Sequence, residues 1–323
     1  MTKPIKITAS EYQSAINGFS VYDCAIRSNR VFSFLLLQTI DDAANGDRRL
    51  LNYFPDDADG ERLDWMDYEG FAAPKIAATS QPKDQVVLIG RDCVVAVLGG
   101  GDGGMESPIP NGNAKTILDS SCHGVATIEG QVYAVGGWRG VCRRLGPNSW
   151  ESLAGDRSTL PTPKRLSYGG TDGGFNAIAG FNSKNIYCVG GEGDAWRYDG
   201  QRWYQCAVPT NMRFESVCCA GDGYVYIGMQ SGSVLRGRED KWTIIHKDEM
   251  TLPFKDMVWF GGKVWCTSDY GLWVIEDGKL REAPVSPEVK SCSGNLAVGD
   301  GVLLLAGMYG ATVNDGKQWN RLW

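Results

Sequence analysis

The chain has 323 residues, 43% of them hydrophobic, and a formal net charge of -6 at pH 7. Such a composition belongs to a globular chain long enough for one large domain, and its acidity argues against a nucleic-acid surface. No apolar run approaches the roughly 20 residues of a membrane span, and the opening MTKPIKITASEYQ lacks the apolar core of a secretory leader, so a soluble cytoplasmic protein is expected.

Residues 1–17 read as an extension. A β-prone run, Ile5 to Thr8, leads into Thr8-Ala9-Ser10-Glu11, a capping-box pattern that opens a short helix ending near Gly18. Such a segment would serve as a lid or as a closing strap. From Phe19 a strand grammar begins: Val21 to Ile26, a turn at Ser28-Asn29-Arg30, VFSFLLLQ, RRLLNYF from Arg48, and Trp65 in a fourth strand. The next unit reads as VVLIG, a turn at Arg91-Asp92, and CVVAVLGGG, which places Val94 at the start of its second strand.

The unit from Phe214 to His246 shows the pattern at its clearest. Four β-prone runs, Glu215 to Ala220, Tyr224 to Met229, Ser233 to Gly237 and Lys241 to Ile245, are separated by Gly- and Asp-rich turns. The first apolar residue after the central turn recurs at Val132, Ile186, Val225, Val264 and Val302. The fourth-strand position recurs in step at Trp150, Trp203, Trp242, Leu280 and Trp319. Two landmarks sharing a period of roughly 39 residues indicate four-stranded propeller blades. With Val31 and Val94 the anchors number seven, so the expected fold is an all-β, seven-bladed β-propeller of antiparallel blades. A slip in the N-terminal register would make it six or eight. The expected organisation is one domain over 18–323 with insertions near 39–84 and 154–174.

Gly136-Gly137 and Gly190-Gly191 close second strands upstream of Trp150 and Trp203, and Gly99-Gly100 also follows an apolar run. On these residues the chain resembles the kelch family of β-propellers over about three blades. In the last three, Gly228-Met229, Thr267-Ser268 and Gly307-Met308 replace the doublet. The resemblance implies a fold and a binding habit and names no partner. The glycines and tryptophans are expected to be fold signatures, the tryptophan filling the wedge between blades.

Chemistry is sparsely provided. The ten cysteines show no zinc spacing and lie largely in β-prone runs, as reduced apolar fillers would. His123 and His246 sit in different blades, too far apart in the pattern for a copper site. The run Asp56-Asp57-Ala58-Asp59-Gly60 fails as a calcium loop, because Met66 stands where a Glu is required. The glycine run from Gly99 lacks the lysine of a phosphate loop. No cofactor, metal ligand set or catalytic residue is assigned.

A loop surface is what remains. Loops joining second to third strands would carry Trp138, Arg139, Glu192, Asp194, Gln230, Asp269, Tyr270 and Tyr309 around one rim, and aromatic and arginine residues on loops suit a protein interface. A long loop from Ala154 to Gly174 adds Arg157, Lys164, Arg165 and Tyr168. Between Asp41 and Glu69 acids dominate, with Asp42, Asp56, Asp57 and Asp59 among them, and would attract a basic partner. The expected function is that of a non-enzymatic, monomeric binding protein, specifically a bacterial immunity protein masking a basic toxin such as a nuclease. The competing expectation is a carbohydrate-binding or glycan-cleaving propeller using Asp194 or Asp269 in an axial pocket, with Trp138 or Tyr270 stacking on a sugar.

Overall fold

In the computed structural model, which describes residues 6–39, 46–110, 117–118, 121–155, 159–163, 173–247 and 252–323, the β-prone runs form seven four-stranded sheets. Within each sheet the strands pair antiparallel in sequence order, so every blade is a meander built from consecutive residues. The blades span 19–68, 75–106, 122–152, 175–205, 214–246, 256–282 and 295–321.

One register differs from the sequence reading. VVLIG is the second strand of blade 2 (Gln85–Ile89), and the run containing Val94 leads into the third (Val95–Gly99). The anchor of this blade is therefore Val86. The doublet Gly99-Gly100 lies in the turn to the fourth strand, where φ values of 118° and 63° call for glycine.

A single blade has two apolar faces, and each is buried only against a neighbour. The core accordingly divides into seven clusters, each drawing on two adjacent blades. Trp150 packs with Val87 and Val95 of blade 2, and Trp203 with Tyr133 and Val135 of blade 3. Each thus fills the space between its own blade and the preceding one. The second-strand glycine has an equally local cause: a Cβ on Gly136 would lie 1.6 Å from the carbonyl oxygen of Ser121, and one on Gly190 would lie 2.1 Å from that of Gly174. In blades 3, 4 and 7 the linker entering the inner strand passes too close for a side chain.

Polar clips tie successive inner strands together. Asp23 accepts from the Ile76 amide (3.0 Å), Asn176 donates to the Phe214 carbonyl (2.8 Å), Ser216 to Phe254 (2.8 Å), and Asp256 accepts from the Leu296 amide (3.1 Å). His123 joins the set. Its Nδ1 faces the Phe175 carbonyl at 3.2 Å, which can only accept, so Nδ1 carries a proton, and Nε2 lies 2.7 Å from Ser121 Oγ.

Asp256 is the strained member. Burial pushes its carboxyl up to about 6, against the pull of Lys75. A raised carboxyl pKa means that folding favours the protonated form, so stability falls as pH rises from about 4 to about 6. About two pH units correspond to about 3 kcal/mol at neutral pH. Asp256→Asn keeps an acceptor for Leu296, and should be more stable than wild type at pH 7 while losing the slope between pH 4 and 6 in urea melts. Equal slopes would show that Asp256 titrates normally.

The seam between blades 7 and 1 is covered by the N-terminal segment. Thr8 caps a helix (Ala9–Ala15) in a complete capping box with Glu11. The Ile7 amide donates to the Leu322 carbonyl at 2.9 Å, and Ile7, Ala15 and Ile16 bury against residues of both blades. Glu11 takes the Arg62 guanidinium (Nε to Oε1, 2.9 Å) and the Gly60 amide (3.0 Å). Both charged side chains are buried.

Candidate protein-binding face

Loops between second and third strands emerge at the end where each blade receives the chain from the one before it, and turns between third and fourth strands emerge at the other. That geometry splits the expected site residues. Trp138, Arg139, Glu192, Asp194, Asp269, Tyr270 and Tyr309 belong to the first end, whereas Asp56, Asp57 and Asp59 sit in the 54–62 turn at the opposite end. No single interface of ordinary size on one face includes both groups. Asp41, Asp42, Arg157, Lys164, Arg165 and Tyr168 lie outside the described residues.

Within the first group the roles diverge. Arg139 and Asp194 are bound to each other across blades 3 and 4, Nε and Nη2 each 2.8 Å from a carboxylate oxygen. Trp196 Nε1 donates to the same carboxylate at 2.8 Å, and the guanidinium lies 4.8 Å from the Trp196 ring centroid. With Asp194 buried and so engaged, it fits a blade-to-blade clip better than a general acid or base. Glu192 is exposed. Asp269 is exposed beside Lys255 Nζ at 3.4 Å.

Trp138 and Arg139 form the two central residues of a tight turn, with φ of 57° and 59° and the Gly140 amide on the Gly137 carbonyl at 2.9 Å. This left-handed conformation suits Asn or Gly and disfavours a bulky side chain. Trp138→Asn should therefore stabilise the fold by about 1 kcal/mol. Thermal melting checks this, and a loss of stability would mean that the indole's contacts outweigh the turn strain.

The strongest surface feature joins blades 6 and 7. Tyr270 is 82% exposed, Met308 66% and Tyr309 65%, all at the tips of second-to-third-strand loops, with Leu252 on the same face in the linker leading to blade 6. Large apolar side chains on neighbouring loops with no intramolecular cover are characteristic of binding surfaces. Tyr270 and Tyr309 were legible in the sequence. Met308 was not, because Gly307-Met308 occupies the place of a structural glycine doublet.

The acids of the far end are largely engaged locally. Asp56 pairs with Arg30, and Asp59 lies 3.6 Å from Arg62. Among the described residues no group of three or more His, Cys, Asp or Glu side chains is placed to hold a metal ion. All ten cysteines are free thiols, nine of them buried, and burial pushes those of Cys206 and Cys218 up to about 12. No helix of the described residues is long and apolar enough to cross a membrane.

Comparison with known proteins agrees with the propeller fold. The kelch motif matches residues 120–146, in blade 3. Solved structures share the fold at low identity. Virginiamycin B lyase from Staphylococcus aureus has a TM-score of 0.63 and 11% identity, covering 92% of this chain and 95% of that one. YCF48 from Cyanidioschyzon merolae has a TM-score of 0.57 and 13% identity, covering 92% and 95%. A fold shared by a lyase and YCF48 does not decide function. The immune protein Tsi7 of Pseudomonas aeruginosa is a nearer relative, 33% identical over 265 residues, 81% of this chain and 83% of Tsi7. Kinship with an immune protein, on a kelch-type propeller, identifies a binding protein and not an enzyme. The chain belongs to the Tsi7 family of immune proteins.

Proposed function

We propose that this immunity protein neutralises a toxin by binding it on the face that carries Tyr270, Met308 and Tyr309. The exposure of three large apolar side chains on adjacent blades carries the reading. Aromatic anchors inserted into a partner's pockets supply most of the affinity, and the polar loops around them exclude water. The partner is a basic protein. A net charge of -6 steers a cationic domain towards the propeller, and a nuclease is the toxin class whose own polyanionic substrate demands a positive surface. Such a complex forms in the cytoplasm from a monomeric propeller.

Capture from the native host at low and high salt, followed by mass spectrometry, tests this. The expected result is one stoichiometric basic protein whose retention weakens with salt. Retention of an acidic protein, or of none, contradicts the proposal.

A further inference from the structure

The tyrosines of the proposed docking face sit on two turns of the same length whose support differs. Asp269-Tyr270 and Met308-Tyr309 are both two-residue connections, closed by the pairs Ser268–Gly271 and Gly307–Gly310. Connections of this length that match the twist of their strands take a positive φ at the first central residue, and none of these four residues has one. Such turns need other fastenings. In blade 6 the fastenings are local: the Tyr270 amide donates to Ser268 Oγ at 3.3 Å, and Thr267 Oγ1 donates to the Gly271 carbonyl at 2.9 Å. The register places Ala306 and Gly307 at the matching positions of blade 7, and neither has a polar side chain. A serine cannot stand at 307, because a Cβ there would lie 1.9 Å from the Ser293 carbonyl oxygen.

Arg321 supplies what the blade 7 turn lacks. Its Nη2 donates to the Tyr309 carbonyl at 2.8 Å, and its Nε to the main-chain oxygen of Trp323 at 2.7 Å. Its Nη1 reaches the Glu288 carbonyl at 3.3 Å and Ser291 Oγ at 3.4 Å. Glu288 and Ser291 belong to the linker between blades 6 and 7, so one guanidinium ties the turn to the segment that joins the two tyrosine-bearing blades. The backbone beneath it is itself fixed. Arg321 pairs with Thr312, the Leu322 amide donates to the Ala311 carbonyl at 2.8 Å, and the Leu322 carbonyl accepts from Ile7 at 2.9 Å. A rigid planar fork of donors can hold three segments at once, which a single ammonium cannot.

We propose that Arg321 is a positioning residue of the toxin-binding face, holding Tyr309 in the arrangement the toxin meets; the inference rests on the function proposed above. A turn fixed before docking has less conformational freedom to lose on binding, so the guanidinium acts on affinity through Tyr309.

Hydrogen exchange on the protein alone and affinity for captured toxin together test this. In Arg321→Met the peptide covering 307–311 should exchange about fivefold faster than in wild type, with blades 2 to 5 unchanged. Toxin affinity should fall about tenfold, with Arg321→Lys intermediate. In the Tyr309→Ala background Arg321→Met should cost less than about twofold more, because the side chain it positions is gone. Arg321→Lys, which keeps the charge and the stem, carries both readouts should Arg321→Met fail to fold. Wild-type exchange at 307–311 would overturn the proposal, whatever the toxin does. Wild-type affinity in Arg321→Met alongside weak binding by Tyr309→Ala would overturn it too, and leave the docking face standing. Wild-type affinity in Tyr309→Ala would overturn the docking face and this inference with it.

Discussion

Removing residues 1–17 should lower the melting temperature by about 10 °C or more, and Glu11→Ala alone should lower it by about 5 °C. The smaller number follows from the Glu11–Arg62 pair, whose side chains are 5% and 2% exposed. Breaking a buried pair by deleting one partner strands the other charge and costs about 3–5 kcal/mol. A chain of this length has an unfolding entropy near 2.1 cal/mol/K per residue, which gives about 1.5 °C per kcal/mol. Deletion of the whole segment also uncovers the apolar seam beneath Ile7, Ala15 and Ile16. If the segment were a detachable lid, differential scanning calorimetry would show an unchanged transition. Arg62→Met in the Glu11→Ala background should recover part of the loss, since no charge is then left buried.

The same pair sets an acid limit. Burial works to raise the Glu11 carboxyl, but hydrogen bonds from Arg62, Thr8 and Gly60 outweigh it and bring its pKa down to about 2. A lowered carboxyl pKa contributes stability that is complete above about 4.5 and is lost as pH falls towards 2. Asp256 acts in the opposite sense between pH 4 and 6. Two carboxyl groups at different places in the ring thus tilt the stability profile in opposite directions over adjacent pH windows.

The second large effect concerns binding. Tyr270→Ala with Tyr309→Ala should weaken the toxin complex roughly 10³-fold, from about 2 kcal/mol for each aromatic anchor. Neutralising Asp56, Asp57 and Asp59 together should change affinity less than tenfold, through long-range steering alone, because they stand at the opposite end of the ring.

Much of this architecture was legible in the residues. Strand pairing within a meander depends on neighbours in sequence, so alternating runs and turn punctuation specified blades 3 to 7. Blade 2 was shifted because VVLIG and CVVAVLGGG are equally apolar, and Gly99-Gly100 imitates the doublet that Gly136-Gly137 forms for a different physical reason: positive φ in the first case, close backbone approach in the second. The loops of the proposed binding face followed from their place between second and third strands. The Arg139–Asp194 clip did not, since the two residues are 55 positions apart and meet only when blades 3 and 4 pack. Nor did the engagement of Glu11 by Arg62, which converts a helix cap into a fastening of the ring seam.

The most direct measurement is the affinity of captured toxin for three immobilised proteins: wild type, the Tyr270→Ala/Tyr309→Ala pair, and the Asp56→Asn/Asp57→Asn/Asp59→Asn triple, each verified by its melting temperature. Binding through the aromatic face predicts tight retention by wild type and the acid triple, and loss of retention by the tyrosine pair. Retention by the tyrosine pair with loss in the acid triple would place the toxin on the opposite end of the propeller and contradict the account.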